Sequence, residues 1–302
     1  MFTFAGKLHI NNFSCIMANV IKIKKGLDIN LKGKASDVLL NGGKSESYAI
    51  VPDYYNGILP KVVAKVGEKV KAGSVLMIDK NRPEIKFVSP VSGEVTAVNR
   101  GEKRKVLSIV VKPDAQIEYE EFGKKNVASL QGAEVKEVLL NAGMWPFIKQ
   151  RPYDIVAAPL DTPRDIFVSA FYSAPLAPNF DFIVKGQEAD FQTGLNALAK
   201  LTNGKVYVGV RSGSVVSGMK GVEIVEVEGP HPAANVGVQI NHIKPVNKGE
   251  VVWTVNPADV IVIGRLFNKG VADFSRMVAI TGSETTERGY VKTISGCTIK
   301  SL

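Results

Sequence analysis

Gly57-Ile-Leu-Pro-Lys-Val-Val-Ala-Lys-Val-Gly-Glu-Lys-Val-Lys-Ala-Gly73 and Ser89-Pro-Val-Ser-Gly-Glu-Val-Thr-Ala-Val-Asn-Arg-Gly101 decide how the first third of this chain folds. Both carry short alternating apolar runs, Val62, Val66, Val70 and Val75 in and after the first, Val95, Val98 and Val106 in and after the second. That is the signature of short strands buried on one side. Gly67, Gly73, Gly93 and Gly101 interrupt the runs at regular intervals, where the backbone must turn tightly. Strands this short bury their apolar side only by packing as two layers, so the segment reads as a small all-β sandwich.

This pattern resembles the barrel-sandwich hybrid of biotinyl and lipoyl carriers, in which a lysine at a hairpin tip bears a swinging prosthetic group. The nearest candidate is Lys80, in Met77-Ile-Asp-Lys-Asn-Arg-Pro-Glu-Ile-Lys-Phe-Val-Ser-Pro90. The carriers' hairpin is shorter; here Asn81-Arg82-Pro83 lengthens the turn, and Pro83 fixes its own φ and removes a backbone donor. The expectation is a structural sandwich whose Lys80 carries nothing.

At 302 residues, 45% apolar and 22% charged, the chain has room for two or three domains. Its formal charge of +9 is uneven: residues 1–125 hold 21 Lys+Arg against 13 Asp+Glu, and residues 126–302 hold 17 against 16. A basic half suits anionic lipid, an acidic protein partner or nucleic acid. The lysines are spaced singly, with no Arg-rich arm or aromatic-interleaved pattern, so nucleic acid is not expected. The most apolar stretch, Val251 to Phe267, is broken by Asn256, Pro257, Asp259 and Arg265 and is too short to span a bilayer. Residues 1–16 lack the layout of a secretory signal and read as a leader or a mis-set start. Two distant cysteines, Cys15 and Cys297, without a Cys-x-x-Cys pair, argue against a disulfide framework or a zinc knuckle.

Beyond about residue 126 the period changes. A helical pattern runs toward Gly143, then strand-like Ile166 to Phe171, a helix from Glu188 to Lys200, strands at 206–210 and 222–227, and a helix after Pro232. Such alternation implies an α/β layer with a largely parallel sheet. A helix from Asn256 to Phe267 and strands at 277–280 and 290–294 read as a small β-grasp-like tail.

Four strings carry a family resemblance: Ile21-Lys-Ile-Lys-Lys-Gly-Leu-Asp-Ile-Asn-Leu-Lys-Gly, Ile78-Asp-Lys-Asn-Arg-Pro-Glu-Ile-Lys-Phe, Arg100-Gly-Glu-Lys-Arg-Lys and Gly229-Pro-His-Pro-Ala-Ala-Asn-Val-Gly-Val-Gln-Ile-Asn-His. In this order they resemble the NqrA family, which supplies one of the subunits of bacterial Na+-translocating NADH:quinone oxidoreductases (Na+-NQR). The resemblance runs from about Met17 to Leu302, with the family's C-terminal region missing. The family is similar in turn to RnfC and to the flavoprotein subunit of complex I. The resemblance implies a multidomain α+β protein: residues 17–125 a barrel-sandwich hybrid, 126–256 a Rossmann-like α/β domain, and 257–302 a soluble-ligand-binding (SLBB-like) β-grasp unit. It further implies a peripheral subunit on the cytoplasmic face of the bacterial inner membrane. Its partners would be the other subunits of the complex, especially the membrane subunits, and NAD and flavins would belong to those other subunits.

In the flavin-bearing relatives a Gly-rich loop follows the first helix of the α/β domain, because backbone N–H groups must approach a phosphate closely. Here that place is taken by Asn141-Ala-Gly-Met-Trp-Pro-Phe-Ile-Lys-Gln-Arg-Pro152, with one glycine, a bulky indole and a proline. The cradle reads as lost, and no cofactor is expected to bind this chain firmly. Gly209-Val-Arg-Ser-Gly-Ser-Val-Val-Ser-Gly218 reads as a turn-rich surface loop. No catalytic residues and no metal ligands stand out; His231 and His242, eleven apart, read as packing or capping groups. Trp145, Phe147 and Phe171 could line a flat apolar slot or simply fill a core. Trp145, Phe147 and His231 are the candidate quinone contacts. Two functions compete: a non-flavin subunit of the sodium-pumping reductase that assists docking and quinone handling, and a free-standing carrier or flavin/NADH-binding protein related to RnfC.

Overall fold

The computed structural model describes residues 20–302; the leader assigned to residues 1–16 lies outside them. Two short strands come first, β1 (Val20–Lys22) and β2 (Leu39–Leu40). Each joins a sheet completed far downstream. The sandwich follows with β3 (Tyr48–Ile50), β4 (Pro60–Val62), β5 (Lys69–Val70), β6 (Val75–Asp79), β7 (Lys86–Val88), β8 (Gly93–Arg100) and β9 (Val106–Pro113). They form a four-stranded sheet ordered β3-β9-β8-β5 and a three-stranded sheet ordered β4-β6-β7. Val70, Leu76, Phe87, Val95, Ile109 and Val111 are buried between them, which is the two-layer packing expected from the alternation.

The α/β unit contains α1 (Gly132–Asn141), β10 (Ile148–Arg151), β11 (Ile155–Val156), β12 (Ile166–Ser169), α2 (Phe180–Val184), α3 (Glu188–Ala199), β13 (Val206–Val210), β14 (Glu223–Glu228), α4 (Val236–Ile243), β15 (Val252–Val255) and α5 (Pro257–Lys269). Its seven-stranded sheet runs β1-β14-β13-β12-β15-β10-β11. The first five strands are parallel, and β10 and β11 extend the sheet antiparallel. Ile166 and Val168 face one core with Phe191, Leu195, Val260 and Ile263, while Phe167 faces the other with Ile240 and Val252. Helices α3 and α5 therefore cover one side of the sheet and α4 the other. The chain steps outward from β12 to β13 through α3 and returns from β14 to β15 through α4. The strand order reverses between β12 and β15, and this reversal creates a crevice at their carboxyl ends.

The closing strands β16 (Ser275–Ile280) and β17 (Gly289–Ile294) make a three-stranded sheet with β2. The structure moves two of the expected boundaries. Residues 20–22 belong to the α/β sheet rather than to the sandwich, because β1 pairs with β14 from Val20↔Glu226 to Lys22↔Glu228. Helix α5, assigned from sequence to the terminal unit, packs on α3 in the α/β unit. Gly194 and Gly264 make that crossing: a Cβ on Gly264 would lie 1.7 Å from the Asp190 carbonyl oxygen, and one on Gly194 would lie 2.1 Å from that of Val260. The ends of α5 are set locally, by Asn256 accepting from Ala258 N–H, by Pro257 in the first turn and by left-handed Gly270 after the last.

Candidate ligand cleft

The crevice at the β12/β15 reversal opens into a chamber of about 530 Å³, within the range of small-molecule sites. Ser169, Phe171 and Tyr172 reach it from the end of β12, and Thr254 to Pro257 and Asp259 from the end of β15. Ala234 to Gly237 come from the start of α4, Pro146, Phe147, Lys149 and Arg151 from the loop and strand after α1, and Tyr54 and Tyr55 from the sandwich. Arg276 of β16 completes the wall. Residues from all three units thus meet at one place.

The chamber is aromatic and cationic. The Arg276 guanidinium lies 5.5 Å from the Phe147 ring centre, donates from Nη2 to Asp259 Oδ1 at 2.5 Å and from Nε to Ser295 Oγ at 2.5 Å. Burial alone would lower its pKa, but the Asp259 carboxylate outweighs that and raises it. The Lys149 ammonium lies 5.5 Å from the Tyr55 ring centre and has no ion-pair partner among the described residues; burial pulls its pKa down, with Asp154 and Asp259 opposing. Nε of Arg151 is buried with no hydrogen-bond partner. Tyr55 and Tyr172 are both pushed up to about 12, chiefly by burial, so both hydroxyls keep their protons at neutral pH. The Tyr172 hydroxyl is 3.2 Å from Asn256 Oδ1.

A narrower annex of about 170 Å³ adjoins the chamber and shares Tyr54, Tyr55, Phe147 and Arg276 with it. Its other walls include Ile50, Val51, Phe87, Val88, Gly143 and Phe274. Phe87 meets Tyr55 edge-on at 4.8 Å, and Phe274 meets Phe147 edge-on at 6.2 Å.

Of the sequence candidates, Phe147 lines both spaces. Trp145 lines neither: it is fully buried, its indole N–H donates to the Ala157 carbonyl at 2.8 Å, and it packs edge-on against Trp253 at 5.4 Å. The indole is a core anchor and presents no ring face to a ligand. His231 stands apart as well. Its N–H donates to Asp28 Oδ1 at 2.8 Å, its carbonyl accepts from Leu27 N–H at 2.9 Å, and its Nδ1 lies 3.1 Å from Ser173 Oγ, so it fastens the segment after β1 to the α/β unit. His242 Nδ1 meets the Val238 carbonyl on its own helix. Phe171 lines the chamber, with Arg211 stacked 5.0 Å above its ring. The residues that sequence reasoning misses are the adjacent Tyr54 and Tyr55, together with Lys149, Tyr172 and Arg276 from three other places in the chain, and no local pattern joins these four places.

The loop after α1 offers no phosphate cradle. The N–H groups of Ala142, Gly143, Met144, Phe147 and Ile148 all donate to carbonyls within residues 138–145. Gly143 has φ +67 and is pressed against Val88, where a Cβ would lie 2.6 Å from a methyl. The residues present do not fit a flavin or dinucleotide phosphate at this place. Lys80 is exposed, but its turn is clamped: Asp79 accepts from Arg82 Nε at 2.8 Å, and Arg82 donates onward to the carbonyls of Val156 and Gly57. The hairpin tip is thereby docked on the α/β unit. Among the described residues no group of three or more His, Cys, Asp or Glu is placed to hold a metal ion, and no helix is long and apolar enough to cross a membrane.

Two family models match, the NqrA N-terminal barrel-sandwich hybrid domain over residues 21–114 and the NqrA second alpha/beta domain over residues 130–272. The chain is 38% identical over 288 residues to the NqrA subunit of the Na(+)-translocating NADH-quinone reductase of Hahella chejuensis, 36% identical over 287 residues to that of Neisseria meningitidis serogroup A, and 34% identical over 287 residues to that of Yersinia pestis. Each match covers 94% of this chain and 64% of the relative; the chain spans a little under two thirds of the length of the relatives it matches.

Proposed function

Because the chain belongs to the NqrA family, we propose that it serves as the NqrA component of a Na+-translocating NADH:quinone reductase, which couples NADH oxidation and quinone reduction to Na+ export. It acts there as a peripheral, non-flavin subunit on the cytoplasmic face of the membrane. It docks the membrane subunits, NAD and flavins are carried by other subunits, and the chain itself holds no catalytic centre. We read its α/β unit as Rossmann-like and its small terminal sheet as the SLBB-like β-grasp unit.

The observation that carries the reading of the site is the chamber at the strand-order reversal, walled by Tyr55, Phe147 and Tyr172 and faced by Lys149 and Arg276. A flat ring with two carbonyl oxygens matches it: aromatic faces cover the ring, and the protonated Tyr55 hydroxyl with the Lys149 ammonium supplies donors to the oxygens, while the Tyr172 hydroxyl is held by Asn256 Oδ1. These residues take the place of Trp145 and His231, the contacts expected from sequence. The alternative, a flavin- or NADH-binding protein, is disfavoured because every loop N–H named above is already used within the protein.

Two measurements test this. Tagged protein drawn from its native membranes should bring membrane subunits with it; protein recovered alone from gently solubilised membranes would overturn the assignment. Calorimetric titration should show saturable binding of a benzoquinone and none of FMN or NADH. Micromolar binding of either nucleotide, with none of the quinone, would transfer the chamber to the alternative reading.

A further inference from the structure

The string Arg100-Gly-Glu-Lys-Arg-Lys takes no part in the chamber. It forms the tip of the β8–β9 hairpin, where Gly101 N–H donates to the Lys105 carbonyl at 2.9 Å and Lys105 N–H to that of Glu102 at 3.0 Å. Four of its six residues are cations. Arg100 Nη1 donates back to the Arg104 carbonyl at 3.1 Å, and Lys105 Nζ pairs with Asp53 at 2.6 Å. The Lys103 ammonium and the Arg104 guanidinium are exposed and have no partner among the described residues. Both residues also hold left-handed backbone, with φ 52 and 61, a conformation that glycine and asparagine adopt far more readily than a long side chain does. The turn by itself would be better served by those small residues. Strain that is returned by no contact inside the molecule points to one outside it.

Two apolar groups stand beside the cations. Leu107, 43% exposed, lies over Gly101, where a Cβ would sit 3.3 Å from its methyls. Tyr54, 78% exposed, follows Asp53, which the Lys105 ion pair ties to the tip. Cations set among an exposed phenol and an isobutyl group match the surface of a bilayer, where lipid phosphates meet the cations and the aromatic and aliphatic groups sit at the acyl boundary. An acidic protein surface would satisfy the cations but leave those two groups without an apolar counterpart.

We propose that the β8–β9 tip is a membrane-surface contact for anionic phospholipid headgroups, with Lys103 and Arg104 on the phosphates and Leu107 and Tyr54 at the interface. This rests on the reading of the chain as a peripheral membrane subunit and names the part of it that touches lipid.

The test measures co-sedimentation of the intact protein with vesicles of phosphatidylcholine alone and of equimolar phosphatidylcholine and phosphatidylglycerol. Each cation near an anionic leaflet is worth about fivefold in partitioning. The protein should therefore favour the anionic vesicles by at least about tenfold, and 1 M NaCl, where the Debye length is about 3 Å, should remove the preference. Lys103→Asn/Arg104→Gly takes away two cations while giving the turn residues that suit its backbone; it should fold, judged by thermal unfolding, and lose about tenfold or more in partitioning to the anionic vesicles. Lys103→Gln/Arg104→Gln is the second variant should the first be unstable. Lys61→Gln/Lys65→Gln, at exposed positions on and just after β4 in the other sheet, removes the same charge and should cost less than about threefold, since charges beyond a Debye length of the leaflet are screened. No preference for anionic vesicles overturns the contact. Equal loss in the tip and β4 variants does so too, by leaving only attraction through overall charge. Retention on native membranes that depends on Lys103 and Arg104, with vesicles of both kinds bound alike, would assign the tip to an acidic protein surface and overturn the lipid contact. Co-purification with membrane subunits is unaffected by any of these results and decides the subunit reading separately.

Discussion

Arg276 and Asp259 join the terminal sheet to the first turn of α5 at the edge of the chamber, and the strength of that link can be measured by a double-mutant cycle. The side chains are 24% and 14% exposed, with Nη2 and Oδ1 2.5 Å apart. Removing one partner from a buried pair costs about 3–5 kcal/mol, because the other charge is left without compensation. Here the stranded Asp259 would keep about 0.3–1 kcal/mol from its place in the first turn of α5, and residual water access lowers the cost further. Arg276→Met also loses its stacking on Phe147, worth about 0.5–1 kcal/mol. Arg276→Met should therefore destabilise by about 3 kcal/mol and Asp259→Leu by about 2–3 kcal/mol. The double variant buries no charge and should cost less than either alone, a coupling of at least about 3 kcal/mol. Urea unfolding of the four proteins at pH 7, extrapolated linearly, gives the values. In the same set, quinone affinity should fall with Arg276→Met and should not return in the double variant, since the cation facing the ligand is still missing. Stabilities that add to within about 0.5 kcal/mol would mean the pair is screened like an ordinary surface pair, and would refute the reasoning that removing one partner strands the other charge.

Further expectations follow from single positions. Gly264→Ala would place a methyl 1.7 Å from the Asp190 carbonyl oxygen, forcing α5 away from α3; a loss of more than about 3 kcal/mol is expected, and a change below about 1 kcal/mol would show that the helices do not cross there. Asp273 ionises at about 2 although burial opposes it, because Ser275, Arg265 and Lys269 all favour its charged form. Its contribution of about 1–2 kcal/mol is complete above the ordinary carboxylate value of 3.8 and is lost as pH falls through about 2. The acid limb of the stability curve should flatten in Asp273→Asn, and an unchanged limb would refute the assignment. Intact-mass measurement of protein from its native host should match the unmodified chain, since Arg82 docks the Lys80 turn on Gly57 and Val156; a lipoyl or biotinyl increment on the Lys80 peptide would contradict this.

The sequence reveals those parts of the fold whose signals are local. Alternating valines and spaced glycines announce the sandwich, and capping by Asn256 and Gly270 announces α5. Strand β15 is hidden because all four of its residues are buried: a strand covered on both faces loses its period of two, and Val252 to Val255 merge with the apolar run of α5. The β10–β11 pair is hidden by brevity, being four and two residues long. The destinations of β1 and β2 cannot be read at all, since their partners lie some two hundred residues or more away and nothing in a few exposed or half-exposed residues specifies one. The site follows the same rule. Phe147 is legible because an apolar slot is expected beside the altered loop, but Trp145 is not, because an indole that lines a cleft and one that fills a core look alike in a single sequence. Lys149 and Arg276 gain their meaning only from ring faces supplied by other elements.

The placing of β1 and β2 bears on how the chain is made. Residues 48–113 contain every strand of the sandwich, so that unit can close as soon as it has left the ribosome. Residues 20–40 cannot. Val20 to Lys22 must wait for Glu226 to Glu228, and Leu39 and Leu40 for Tyr290 and Val291. At about 5–20 residues per second, residues 20–40 stay without their partners for roughly ten seconds or more, with Leu27, Ile29, Leu31 and Leu39 still exposed afterwards. Such long-range pairing is slow and leaves unpaired edges open to aggregation. Residues 20–40 are thus fixed in place after the sandwich that follows them in sequence, and changes there will be felt in sheets whose other strands lie some two hundred residues or more downstream.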